Sequence, residues 1–322
     1  MSMQPTWPAR LDDPRAHRDG ADIVDFGDAA GEAACAGHAA TRAPRGDLAV
    51  VALSGSDART FLHGQVSANL VALAAGDAVH TAWCSPKGRV LFLLTIIAAA
   101  DGLRVLVPRA QCDALVKRLR MFVLRAAVTV EAQADAGVVV LDAPGATPVL
   151  PSALLAGSTR GQTWLCGPAD ALAACWDTLP GRPIGAPAAL LADIRHARPR
   201  LAVALAEQFL PQELDLDRHA GVSFDKGCYP GQEIIARVRF RGSVKRRLAR
   251  LAGNPATLPA PGTRLHGTDG ETPCGTVLMA AHATPARVEL LAVLDVAASD
   301  VTLAGPAGVA LERFDDGDVD TA

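Results

Sequence analysis

The chain has 322 residues, 50% of them hydrophobic and 20% charged, a mixture that suits two or three globular domains and excludes a disordered or fibrous chain. A formal net charge of −3 and an aromatic content of 4% give no global reason to bind nucleic acid. Basic residues number 31, of which four are lysines (Lys87, Lys117, Lys226, Lys245) and the remaining 27 arginines, as GC-rich codon usage produces; Tyr229 is the one tyrosine.

Residues 1–45 mix Arg, Asp, Gly, Pro and Ala without sustained periodicity and without the apolar stretch of a signal peptide, so a poorly ordered leader is expected there. The seven cysteines are an odd number, scattered and without CxxC, which fits a reducing cytoplasm and no self-contained metal site. From Leu48 the pattern becomes regular. LAVVALSG reads as a strand, and Asp57 precedes a helical ARTFLHGQV with Phe61 and Leu62 on its apolar face. The run from Val90 to Ala100 is too short to span a bilayer and reads as a buried strand; with the turn Asp101-Gly102 and LRVLVP it predicts a hairpin. A helix follows over Arg109–Arg120. RVLVP and its helix are echoed by TWLCGP and its helix, with Pro108 and Pro168 offset by 60 residues; coincidence and two related α/β subdomains both account for the echo.

The most unusual stretch is residues 209–247, FLPQELDLDRHAGVSFDKGCYPGQEIIARVRFRGSVKRR, which holds two of the four lysines and the one tyrosine. Lys226, Gly227, Cys228, Tyr229, Pro230, Gly231, Gln232 and Glu233 set a thiol among glycines, an ammonium, an amide and a carboxylate. Glycines let backbone approach a ligand, and a nearby ammonium favours the reactive thiolate. The bland alternative is a buried cysteine in a structural turn. Beyond it, Ile234, Ala236, Val238 and Phe240 alternate with Ile235, Arg237, Arg239 and Arg241, which predicts a strand with a basic face suited to carboxylates or phosphates, or a merely solvated face. After Gly242, short strands separated by Pro, Gly, Asn and Asp predict a small antiparallel β-barrel over 243–315, and Asp315, Asp316, Asp318 and Asp320 mark an acidic tail.

KGCYPGQE, with FLPQELDLD and GVSF before it and ARVRFRG and KRRL after it, resembles the signature of the YgfZ family of folate-binding proteins, which support iron–sulfur cluster assembly or repair and some tRNA modification. The family pattern Lys-x-Cys-x-x-Gly falls on Lys226, Cys228 and Gly231. GSDARTFLHGQVSANL and SPKGRVLFLLTII resemble the family's N-terminal blocks, so the resemblance covers about residues 48–315. It implies an α+β fold related to the T-protein of the glycine cleavage system: two α/β subdomains, about 46–135 and 136–242, then the barrel and a tail over 316–322, around a central opening that binds folate.

The resemblance implies a tetrahydrofolate or derivative as cofactor, with Arg195, Arg237 and Arg239 toward its glutamate tail and Tyr229 as a further binding residue. Cys228 is the functional thiol, facing the ligand or an iron–sulfur client or assembly protein, and Lys226 holds it partly as thiolate. Gln232 and Glu233 orient Lys226 or the ligand, and Gly231 completes the site. One thiol cannot hold a cluster that takes four, so a redox or transfer role suits Cys228 better. The alternative is a tetrahydrofolate-dependent aminomethyltransferase of the T-protein type, against which Arg195-His196-Ala197-Arg198-Pro199 puts an alanine where T-proteins carry a pterin-binding glutamate. A tRNA-binding module using the basic segment ranks third.

Overall fold

Alternating and fully apolar runs need a covered face, and the chain provides it by stacking elements in pairs. The computed structural model describes residues 7–146, 148–267, 271–298, 301–303 and 309–314. Its N-terminal part runs β1 (His17–Asp19), β2 (Asp22–Asp25), α1 (Ala29–Cys35), β3 (Thr41–Pro44), β4 (Leu48–Ser54), α2 (Ala58–His63), β5 (Ala78–Cys84), β6 (Val90–Ala99), β7 (Gly102–Pro108), α3 (Cys112–Phe122) and β8 (Thr129–Ala132). The middle part adds β9 (Ala136–Asp142), β10 (Leu155–Thr159), β11 (Gln162–Pro168), α4 (Ala169–Cys175), β12 (Arg182–Pro183), α5 (Ala186–Arg195) and α6 (Gln232–Arg241). The C-terminal part is all strand: β13 (Arg246–Gly253), β14 (Arg264–His266), β15 (Pro273–His282), β16 (Val288–Asp295), β17 (Val301–Leu303) and β18 (Val309–Arg313).

Two five-stranded sheets, ordered β5-β6-β7-β4-β8 and β10-β11-β9-β3-β12, are followed by a closed barrel ordered β13-β16-β15-β14-β17-β18. Buried Val50, Ile97, Leu106, Val138, Val140 and Trp164 form one apolar cluster drawn from both sheets. The echo between Pro108 and Pro168 takes structural form: each proline ends the second strand of an antiparallel hairpin, β6–β7 or β10–β11, and a helical segment follows. The β6–β7 turn needs its glycine, because Gly102 sits at φ +144° and a Cβ there would lie 2.1 Å from the Leu53 carbonyl oxygen. The expected helix over 109–120 starts as a 3₁₀ turn at Arg109–Gln111. The aspartates of the acidic tail lie outside the described residues.

Two expectations are corrected. Residues 7–45 are not a poorly ordered leader: β3 lies inside the second sheet, antiparallel to β9 and parallel to β12. Trp7, Leu11, Ile23 and Phe26 are buried against that sheet, Phe26 stacks on Trp176, and Glu32 accepts hydrogen bonds from the Phe26 and Gly185 amides. These anchors are single apolar residues in a polar context, so they produce no periodic signal. The second correction concerns residues 234–241, which form α6 and not a strand. Gly231, at φ +82°, and Gly242 delimit its ten residues, and among the described residues no strand pairs with them.

Arg195, expected to face an anionic ligand, is spent on the fold. At the end of α5 its Nε and Nη2 donate to the Glu289 carboxylate of β16 at 2.8 to 3.3 Å, and its Nη1 donates to the Ala33 and Ala36 carbonyls at 2.8 and 2.7 Å. One guanidinium thus ties α5 to both the barrel and α1. Replacing Arg195 by Met leaves the buried Glu289, among the described residues, with the more distant Arg250 at 3.6 Å as its one ion-pair partner. The expected cost is about 3 kcal/mol of unfolding free energy, read by urea denaturation; a loss below about 1 kcal/mol would contradict the assignment.

Candidate functional site: the Cys228 loop and the cavity between the sheets

The loop that carries Cys228 is stapled to the first sheet at several points. The Gly221 carbonyl accepts from Ser67 Oγ at 2.6 Å and Thr81 Oγ1 at 3.0 Å, and the Ser223 amide donates to the Ser67 carbonyl at 2.9 Å. Lys226 Nζ then donates to three carbonyls: His63 at the end of α2, Val66 at 2.7 Å and Ala68 at 3.1 Å. It also lies 4.9 Å from the centre of the Tyr229 ring. Burial pushes the Lys226 ammonium down to about 8. Its donors point at backbone carbonyls, so the expected role of holding Cys228 as thiolate is replaced by that of an anchor.

Tyr229 and Gly231 continue the attachment. Tyr229 is buried beside Cys84, its hydroxyl has no hydrogen-bond partner among the described residues, and burial followed by Cys84 raises it above the ordinary phenol range. Its ring packs in the buried apolar cluster at the root of the loop. Tyr229, Pro230, Gly231 and Gln232 form a type II turn: the Gln232 amide donates to the Tyr229 carbonyl at 3.2 Å, and Gly231 takes φ +82°, ψ 2°. A Cβ on Gly231 would fall 2.5 Å from Gly88 Cα and 2.6 Å from the Ser85 carbonyl oxygen. The glycine therefore lets KGCYPGQE close onto SPKGR, the turn between β5 and β6.

Cys228 is left exposed, whereas Cys84, Cys112, Cys166, Cys175 and Cys274 are buried and Cys35 is partly so. Gln232 and Glu233 begin α6; among the described residues neither side chain forms a hydrogen bond, and they do not orient Lys226. On the helix, Arg237 and Arg239 are about 200° apart and not on one face. Arg237 points to solvent, and Arg239 lies 5.4 Å over the Phe224 ring.

The structure places a second feature where the sequence analysis assigned no site residue. Between the sheets lies a cavity of about 60 Å³ with apolar walls from Leu93, Leu106, Trp164 and Leu201. Its charged and imidazole lining is Arg45, His80, Arg160, Asp193, Arg198 and Arg200. Asp193, on α5, is held by Arg200 Nε at 2.8 Å and Arg45 Nη1 at 3.3 Å, while Arg45 and Arg200 both also reach Asp47. Burial alone would raise Asp193, but Arg200, Arg45 and Arg198 outweigh it and lower it.

Arg198 is the exception in this network. It is 3% exposed, donates from Nη2 to the Arg160 carbonyl at 2.5 Å, and among the described residues has no partner at Nε or Nη1. Burial, opposed by Asp193 and Asp142, lowers it to about 10. A guanidinium that remains charged and incompletely hydrogen-bonded in such a place has N–H donors that an anion or a carbonyl can accept from. Cys228 is not among the cavity's lining residues. Thr81 connects the two features, since it lines the cavity and donates to the Gly221 carbonyl. The signal that could have singled out Arg198 is its place in the five-residue segment that departs from the T-protein pattern.

His80 gives this region a pH signature. Its ring contacts Thr95 Oγ1 at 2.7 Å and stands edge-on to Trp164 at 5.5 Å. Burial, with the Arg198 and Arg160 charges, pushes it down to about 3. An unfolded histidine takes up a proton below about 6.5. Its contribution to stability is therefore lost progressively as pH falls from that value toward 3. NMR of His80 should show a neutral ring at pH 5, and His80→Gln should flatten this part of the stability profile; a ring that protonates near 6.5 would contradict the geometry. In the loop, Gly231→Ala should cost about 2 kcal/mol or more, because both its φ and its contact with Gly88 are lost. Thermal melts compared with Gly227→Ala, where a Cβ meets nothing within 4 Å, test this.

No helix among the described residues is long and apolar enough to cross a membrane. No family model matches the chain. Curated relatives do: the tRNA-modifying protein YgfZ of Yersinia pestis (strain Pestoides F) is 32% identical over 280 residues, covering 79% of this chain and 85% of the relative. That of Enterobacter sp. (strain 638) is 29% identical over 272 residues, covering 77% and 83%. Among solved structures, the glycine cleavage system aminomethyltransferase T from Bartonella henselae superposes with a TM-score of 0.70 at 15% identity, over 90% of this chain and 89% of that one, which shows a shared fold. With a loop that joins KGCYPGQE to SPKGR, a fold of the T-protein kind and 32% identity over most of both chains, the protein belongs to the YgfZ family.

Proposed function

We propose that this chain binds a reduced folate, tetrahydrofolate or a derivative, and acts in the cytoplasm as an accessory protein for iron–sulfur cluster assembly or repair, with Cys228 as its functional thiol. Its effect on tRNA modification would then run through iron–sulfur enzymes, in keeping with the name its relatives carry. The observation that carries the folate reading is the unsatisfied guanidinium of Arg198 in an apolar-walled cavity.

The lining chemistry suits the ligand. Trp164, Leu93 and Leu106 offer a surface for an aromatic ring, Asp193 offers acceptors to ring N–H groups, and Arg198 offers donors to a carbonyl or carboxylate. The enclosed space, about 60 Å³, is smaller than the roughly 300–1,000 Å³ of ordinary ligand pockets, so binding entails displacement of the lining. A bound reduced folate would supply a one-carbon carrier and an oxidisable ring. The residues of this chain hold it, keep water from its ring and fix the charge around it. The aminomethyltransferase alternative is weaker, because Ala197 in the Arg195–Pro199 segment cannot supply a carboxylate.

Arg198→Met should weaken tetrahydrofolate binding at least tenfold, about 1.4 kcal/mol, as measured by calorimetry or by quenching of tryptophan fluorescence. Unchanged affinity would remove the cavity from the account. Cys228→Ala should leave that affinity intact and abolish the support of iron–sulfur enzymes in cells that rely on this chain; full enzyme activity in those cells would sink the role of the thiol.

A further inference from the structure

Helix α6 is unusual for an element of ten residues: Ile235 is its one buried side chain. Elsewhere α3 and α5 bury four and six residues. A helix in a globular protein is ordinarily held by an apolar stripe against the core, and an element without one is ordered by its ends or by a partner. The ends are visible here: the type II turn at Gly231 locks the first, and β13 begins shortly after the second.

The uncovered surface has a definite chemistry. With 100° per residue and Ile235 pointing inward, the outward face carries Glu233, Arg237, Phe240 and Arg241. Phe240 is 71% exposed and Ile234 36%. Arg237, Arg241 and Lys245 are exposed and, among the described residues, form no ion pair. Their neighbours Arg246 and Arg247, by contrast, are paired with Glu213 and with Asp215 and Asp217. Exposed Lys87 adds another cation on the turn that Gly231 abuts. Exposed arginines around an exposed aromatic side chain are the composition of a protein interface.

We propose that α6 is the docking helix for a protein partner that presents an acidic rim around an apolar patch. Phe240 and Ile234 would enter the apolar patch, while Arg237, Arg241 and Lys245 would meet the rim. Cys228 lies four residues before the first residue of the helix, so a partner seated on α6 would sit next to the exposed thiol. This rests on the reading that Cys228 serves client proteins. A protein is favoured over RNA because an outward Glu233 repels phosphate, while Phe240 and Ile234 call for an apolar counter-surface and the chain as a whole is anionic.

The test uses the full chain in cells that depend on it, with p-benzoylphenylalanine at position 240 and, as control, at exposed Val203. Illumination should give a discrete, ribonuclease-resistant protein adduct from position 240 and not from 203, reduced at least tenfold by R237E/R241E. The same charge reversal should lower iron–sulfur enzyme activity toward the level of Cys228→Ala, while melting temperature and the reaction of Cys228 with a small disulfide reagent stay unchanged. Absence of a specific adduct, an adduct indifferent to charge reversal, or a ribonuclease-sensitive one would overturn the docking proposal. If Cys228→Ala leaves enzyme activity intact, the functional reading fails, but the adduct and its charge dependence still decide the docking surface.

Discussion

The Asp193 carboxylate lies deep in the seam between the two sheets, where an isolated charge would be untenable. Arg45 comes from the stretch that joins β3 of one sheet to β4 of the other, and Arg200 from the segment after α5. Both donate to Asp193 and also hold Asp47, and Arg45 lies 5.6 Å over the Trp164 ring of β11. The connection between sheets, the end of α5 and the edge of β11 are thereby fixed to one buried charge. Removing either arginine would leave the buried carboxylate with one ion-pair partner where it had two, so the network is a constraint on assembly before it is a feature of a site. The cavity is the space it leaves, and Arg198 is the member whose hydrogen-bonding capacity assembly does not use up.

The Cys228 loop solves a different problem, that of holding an exposed thiol on a backbone that cannot wander. A neutral amine has two hydrogens to offer the three carbonyls that Lys226 reaches, whereas the ammonium has three. That geometry opposes the desolvation that lowers the group to about 8. Tyr229 sinks into the core on the other side of Cys228, and Gly231 seals the loop against Gly88. The motif Lys-x-Cys-x-x-Gly is thus two anchors bracketing a free side chain. Proximity in sequence suggested that the ammonium tunes the thiol; the direction of its donors says otherwise.

Sheets and barrel were legible because period two survives in the strands and because Asp-Gly and Pro-Gly punctuate them. The alternation in residues 234–241 was misleading for a physical reason: it reports side-chain chemistry, while the fold of that segment is set by the glycine turn before it and by the lack of a strand to pair with. Residues 7–45 failed in the opposite sense, since their burial rests on isolated contacts such as Trp7, Phe26 and the Glu32 carboxylate, which no local pattern announces.

Arg198 escaped notice for a third reason. In a chain with 27 arginines among its 31 basic residues, codon bias makes each arginine uninformative by itself. What separates them is the state of their hydrogen bonds. Arg45, Arg195, Arg200 and Arg247 are satisfied by carboxylates and belong to the fold. Arg198 is buried and incompletely paired, which is costly unless something arrives to complete it. Arg237 and Arg241 form no ion pair among the described residues and stand in water, where the cost is small and the charge is available to a visitor. Burial and pairing together therefore sort one residue type into scaffold, receptor and docking surface, a distinction that composition cannot make.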